Sequence, residues 1–109
     1  DARILPDVYH LFRGNSGYDG LKMLRGELIE VFHMNDFVHH IPREEQQDKD
    51  RVYPGDGDAP MLPILKDLKN MGGNKVLSLE LFNQEYWKMD PLTVAKTGLE
   101  KMKTLVSKV

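Results

Sequence analysis

The chain of 109 residues contains no cysteine. Disulfides and zinc–thiolate sites are thereby excluded, and the absence fits a cytoplasmic protein. An excess of one charge sign is also lacking. Fifteen Lys and Arg stand against 17 Asp and Glu, giving a formal net charge of −2. No basic excess exists to draw in nucleic-acid phosphates. No apolar run approaches the roughly 20 residues that span a bilayer, so no membrane role is expected. An initiator methionine and a signal peptide are missing too. The chain opens on "DARILPDVYHLF", which already reads as structured, so its start is expected to be a cut. Repeats and low-complexity segments are absent. What remains is an ordinary globular composition, 40% hydrophobic and 29% charged, at about the length of one small domain.

Three apolar runs read as short strands: Ile4 to Phe12, interrupted by Pro6 and Asp7; Leu28 to Phe32; and Val76 to Phe82. They are too continuously apolar for strands with one face in water, and resemble parallel strands buried on both faces. Helical patterns alternate with them. "SGYDGLKMLRG" places Tyr18, Leu21 and Leu24 on one side and meets a stop at Gly26. "MLPILKDLKNMGG" carries an apolar stripe of Met61, Leu62, Ile64, Leu65 and Leu68, closed by Gly72-Gly73. "DPLTVAKTGLEKMKTLVSKV" starts with Asp90 as N-cap and Pro91 at the first helical position. Its Leu92, Ala95, Leu99, Met102 and Val106 repeat with helical spacing. The order β-α-β-loop-α-β-α predicts an α/β fold with a parallel sheet and helices packed outside. Residues 35–60 are polar and rich in Gly and Pro, and a loop that long in a compact domain is usually functional or disordered.

Each apolar run places a carboxylate or an imidazole at or near its C-terminal end. The first carries Asp7 and His10, the second His33, the third Glu80. Ligands of parallel α/β folds bind at that edge. Asp, His and Glu together form an N/O donor set for a hard or borderline divalent ion. Taken singly, each has a plainer explanation. A histidine after a strand is most often a hydrogen-bonded structural residue, Glu80 can pair with a barrel Lys or Arg, and Asp7 can be a turn residue after Pro6. The repetition in all three runs favours a shared site. Asp7 and His10 are three apart, so a regular pleat would point them to opposite faces. They can share a site only if the strand ends or bulges between them. In "DRVYPGDGDAP", Arg51 precedes a glycine-rich turn and can bind substrate oxygens or a phosphate. A surface turn with a solvated arginine is the commoner outcome there. Asp36 is expected to orient an imidazole or the loop, and His39 and His40 to face solvent or substrate.

The ordered set "DVYHLFRG", "VFHMND", "DRVYPGDG", "LSLELFN" and "DPLTVAKTGLEKM" resembles the C-terminal part of xylose-isomerase-like barrels. The match is to the sugar phosphate isomerase/epimerase family, which includes ketose 3-epimerases, hydroxypyruvate isomerase and inosose dehydratase. The resemblance implies the last three or so β/α units of a (β/α)₈ TIM barrel, with a divalent ion (Mn, Mg, Co or Zn) at its C-terminal mouth. It implies Asp7, His33 and Glu80 as metal ligands, Glu80 also as acid/base, and His10 and Arg51 as substrate-binding residues. A further ligand glutamate lies on an earlier strand in that family, and no residue here takes its place.

The function this implies is metal-dependent isomerisation or epimerisation of a small-molecule sugar or hydroxy-ketone through an enediolate. A dehydratase of a cyclic polyol ketone shares the first step. A zinc abasic-site endonuclease shares "H-x-N-D", but carries a further histidine ligand where this chain has Val52. A metal-free barrel scaffold is the non-enzymatic alternative. Such barrels need about 250 residues, so residues 1–109 are expected to form one partial domain with 35–60 as an active-site loop. The open parallel edges predict pairing with the missing N-terminal part of the barrel, and a homo-oligomer is left open.

Overall fold

All 109 residues are described by a computed structural model. Its centre is a parallel pair of strands, β1 (Val31–Met34) and β2 (Val76–Leu79). The register sets Val31 against Val76, Phe32 against Leu77, His33 against Ser78 and Met34 against Leu79. Parallel neighbours need a long crossover. Here it runs through residues 35–60 and α2 (Met61–Asn70). Alternation along β1 turns Phe32 and Met34, both fully buried, toward the helices. Val31 and His33 are half-buried on the opposite side, and Val76 on β2 is 62% exposed. The expected burial on both faces therefore holds on the helix side only.

The expected first strand, Ile4 to Phe12, does not form. One parallel bridge pairs Asp7 with His33, supported by the His33 N–H donating to the Pro6 carbonyl at 2.9 Å. Directly after it the chain turns into α1 (Val8–Arg13). Asp7 causes the switch, because its carboxylate accepts from the His10 N–H at 3.0 Å and caps the helix. The cap outweighs the strand preference of Val8, Tyr9 and Phe12.

The second strand starts later than expected, because Gly26–Leu28 forms a 3₁₀ turn. That turn sits so close to the end of α2 that a Cβ on Gly26 would strike the Gly72 and Met71 carbonyl oxygens. The third strand ends at Leu79, leaving Glu80 just past it. Where a helix was expected over Ser16 to Gly26, a 3₁₀ turn (Asp19–Met23) stands instead; the glycines at 17 and 20 weaken a longer helix.

Helix α2 buries Met61, Ile64, Leu65 and Leu68 of its expected stripe but leaves Leu62 exposed, and stops ahead of Gly72 and Gly73, whose φ angles are +77° and +78°. A short helix α3 (Gln84–Trp87) follows β2. It has no clear pattern in the sequence; Asn83 starts it by accepting from the Glu85 and Tyr86 N–H groups. Helix α4 (Pro91–Val106) begins as expected, with Asp90 accepting from the Thr93 N–H at 2.9 Å. Its buried face differs from the expected stripe. Leu92, Leu99 and Val106 are exposed, whereas Gly98 and Leu105 are buried. The close approach of Gly98 to the Leu79 side chain sets this rotation.

Residues 35–60 are ordered rather than loose. An antiparallel bridge joins Asp36 to Val52, and 3₁₀ turns cover Arg43–Glu45 and Asp48–Asp50. The Asp36 carboxylate, fully buried, accepts from the backbone N–H groups of Phe37, Gly55, Gly57 and Ala59 at 2.8–3.2 Å. One side chain thus draws together both ends of the loop.

Candidate metal centre

The pleat decides which side chains meet. His33 faces away from the helices, and so does Asn35 two residues on. Across the pair, Ser78 lies opposite His33, so Glu80 shares its side. Asp7 lies beside His33 through the single parallel bridge. Three neighbouring extended segments thus place Asp7, His33 and Glu80 together at their C-terminal ends. One ligand atom from each lies within 4.8 Å of the others. His33 Nδ1 is 3.4 Å from Asp7 Oδ2 and 3.3 Å from Glu80 Oε2.

This donor set fits a divalent ion. Two carboxylate oxygens converge on one imidazole nitrogen, and a single proton on that nitrogen can satisfy only one of them. Two carboxylates and an imidazole are also the ligand types that Zn, Mn or Co accept. Asp7 is 5% exposed, so its charge needs compensation in any state.

Part of that compensation comes from Arg51. A solvated surface arginine was the commoner expectation, but Arg51 is 1% exposed. Its Nη1 donates to Glu80 Oε2 at 2.9 Å and lies 3.6 Å from Asp7 Oδ2. Its Nη2 donates to Asp48 Oδ1 at 2.6 Å. The guanidinium stacks over Tyr9 and near Phe82, at 4.6 and 5.2 Å from the ring centres. Its Nε is buried with no hydrogen-bond partner.

His10 comes within reach of the same group, with Nε2 3.0 Å from Arg51 Nη2. Arginine has no acceptor, so this contact requires Nε2 to be the unprotonated ring nitrogen. The extended backbone ends at Asp7, and the helical turn that follows brings His10, an exposed residue, over the site.

Two side chains near the cluster were less legible. Asn35 is fully buried and donates from Nδ2 to both Asp7 oxygens, at 3.1 and 3.0 Å. The signal for it was the period-2 parity with His33. Asp36, adjacent to it, touches no imidazole and organises the loop alone. Burial pushes its carboxyl above the ordinary value, against the pull of its four N–H donors. His39 packs edge-on against Phe37 and Phe12 and is exposed, as is His40. Neither histidine joins the cluster.

The profile of the xylose isomerase-like TIM barrel family matches residues 1–105. The chain belongs to this family. It is 35% identical over 102 residues to inosose isomerase of Bacillus velezensis, covering 94% of this chain and 36% of that protein. Among solved structures it matches the IOLI protein with a zinc atom bound, at a TM-score of 0.89 and 31% identity, over 97% of this chain and 38% of that one. A xylose isomerase domain protein from Alicyclobacillus acidocaldarius matches with a TM-score of 0.75 and 26% identity, over 96% and 37%. The chain therefore spans little more than a third of the length of these relatives. Its architecture is the C-terminal portion of a (β/α)₈ barrel, about three β/α units.

Proposed function

We propose that Asp7, His33 and Glu80 belong to the active site of a metal-dependent isomerase or epimerase acting on a sugar or hydroxy-ketone. The observation that carries this reading is the convergence of the three ligand atoms within 4.8 Å. The relatives' names favour a cyclic polyol ketone, an inosose, as the substrate class.

Asp7, His33 and Glu80 would hold the divalent ion, which when bound supplies Lewis-acid polarisation of adjacent carbonyl and hydroxyl oxygens. Glu80 is the more open of the two carboxylates, at 35% side-chain exposure. Arg51 fixes its Oε2, leaving Oε1 to take the proton from the carbon next to the carbonyl. The electron pair of that C–H bond moves into an enediolate. Return of the proton to the neighbouring carbon, with the hydroxyl proton passing to the former carbonyl oxygen, gives the isomer; protonation of the original carbon by an acid on the opposite face, with Glu80 keeping the abstracted proton, gives the epimer. His10, exposed beside Asp7, donates to a substrate oxygen. Arg51 holds Glu80 and His10 in place and reaches a substrate oxygen by exchanging one of these bonds. Residues 35–60 serve as the loop over this site.

The test is deuterium exchange from heavy water into inosose, followed by NMR on the intact protein carrying this chain. Glu80→Gln is expected to slow exchange by at least about 10²-fold with the fold kept, and His33→Ala to lose the bound ion. Near-parental exchange in Glu80→Gln refutes the role of Glu80. A parent protein that takes up no divalent ion favours the scaffold reading instead. A product lacking one water identifies the dehydratase, which shares the first step.

A further inference from the structure

Asn35 is the one fully buried uncharged polar side chain against the cluster, and its bonds reach two separate segments, the start of α1 and the end of β2. Its Oδ1 accepts from the Tyr9 N–H at 2.8 Å, in the first turn of α1. Its Nδ2 donates to both Asp7 oxygens and, at 3.4 Å, to the Glu80 carbonyl. These partners fix the amide's orientation, because a flip would set its NH₂ against the Tyr9 N–H and its oxygen against a carboxylate. Every other atom in the set is either a ligand candidate or backbone. Asp7 has no second side-chain amide or hydroxyl on it, and its remaining side-chain neighbours are His33 and Arg51.

We infer that Asn35 is a positioning residue for the metal site, holding the Asp7 carboxylate and the Glu80 backbone in the geometry that lets both carboxylates reach one ion. The inference rests on the metal-site reading above. Its physical basis is that an unrestrained carboxylate at a helix N-cap can rotate toward the free N–H groups of that helix. Asp7 already gives Oδ1 to the His10 N–H. The bifurcated donation from Asn35 Nδ2 to both oxygens opposes that rotation and keeps Oδ2 facing His33. Groups that orient metal ligands in this way contribute to affinity without touching the ion.

The experiment is zinc affinity by chelator competition on the intact protein, with the visible spectrum of the Co²⁺ form as a second readout. Asn35→Ala is expected to weaken zinc binding by about 10–100-fold and to alter the Co²⁺ spectrum. If Asn35→Ala does not fold, Asn35→Leu carries the same test, since it fills the space without donating. Leu68→Ala, in the core of α2, serves as the control for general destabilisation. It should lower the metal-free melting temperature while leaving zinc affinity within about twofold of the parent. The assignment is overturned if the Asn35 variants bind zinc as the parent does, or if Leu68→Ala weakens zinc binding to the same extent. A parent that binds no divalent ion overturns the metal-site reading itself and is told apart by that first measurement.

Discussion

Replacing Arg51 with methionine separates a structural charge from a substrate-binding one. The guanidinium is 1% exposed and its Nη1 lies 3.6 Å from Asp7 Oδ2, itself 5% exposed. At an effective dielectric constant of about 20, that pair is worth about 5 kcal/mol of Coulomb attraction. Glu80 lies nearer, at 2.9 Å, but its side chain is 35% exposed, and Asp48 is 58% exposed. Solvent screening reduces each of these to at most about 1 kcal/mol. Against the sum stands the cost of keeping the guanidinium out of water, which methionine avoids in its bed of Tyr9 and Phe82. The net expectation for Arg51→Met is a stability loss of about 3 kcal/mol in the metal-free protein, typical of removing one partner of a buried pair. A divalent ion held by Asp7, His33 and Glu80 restores positive charge at the same carboxylates, so the loss should shrink to about 1 kcal/mol with zinc. Urea unfolding of the intact protein at neutral pH, with chelator and then with saturating zinc, gives both numbers. A loss below about 0.5 kcal/mol in chelator, or an equal loss in both conditions, refutes the reasoning.

Two further substitutions probe the frame around the site. Asp36→Asn leaves two of the four backbone N–H groups without an acceptor and should cost about 2 kcal/mol in urea unfolding. Because the folded-state pKa of Asp36 lies above its ordinary 3.8, its proton-linked contribution is complete below that value and lost as pH rises through the folded one. The gap between parent and Asp36→Asn should therefore narrow as pH rises above about 4; a widening gap contradicts the raised pKa. Gly26→Ala forces a methyl against the Gly72 and Met71 carbonyls, neither of which can rotate away. Its midpoint in urea should fall by the equivalent of about 2–3 kcal/mol, and an unchanged midpoint would show that the turn and the end of α2 can part.

The sequence was most legible where a period or a cap is local. Helix α2 follows from its apolar stripe and the paired glycines, and the start of α4 from Asp90 and Pro91. The candidate ligands were legible because each lies within or just after an apolar run, where an unpaired charge would be costly. Helix α1 was not, since Val8, Tyr9, Leu11 and Phe12 carry a strand's composition and only the Asp7 cap turns them. Nor was the buried face of α4, where the deciding contact is Gly98 on Leu79, far apart in sequence. Arg51 looked solvated because its partners Asp7, His10 and Glu80 lie 29 to 44 residues away. Asn35 was missed: its period-2 parity with His33 was available, but nothing local showed that Asp7 would sit beneath it.

The hub at Asp36 has a consequence for how such a protein can change over generations. With both ends of the loop tied to one carboxylate, the distance from β1 to α2 is fixed whatever lies between them. The intervening stretch near residues 38–47 meets solvent over most of its length, and lengthening such a tethered loop adds only a logarithmic entropy cost. Insertion or replacement in that stretch can thus accumulate while the ligand candidates stay in register.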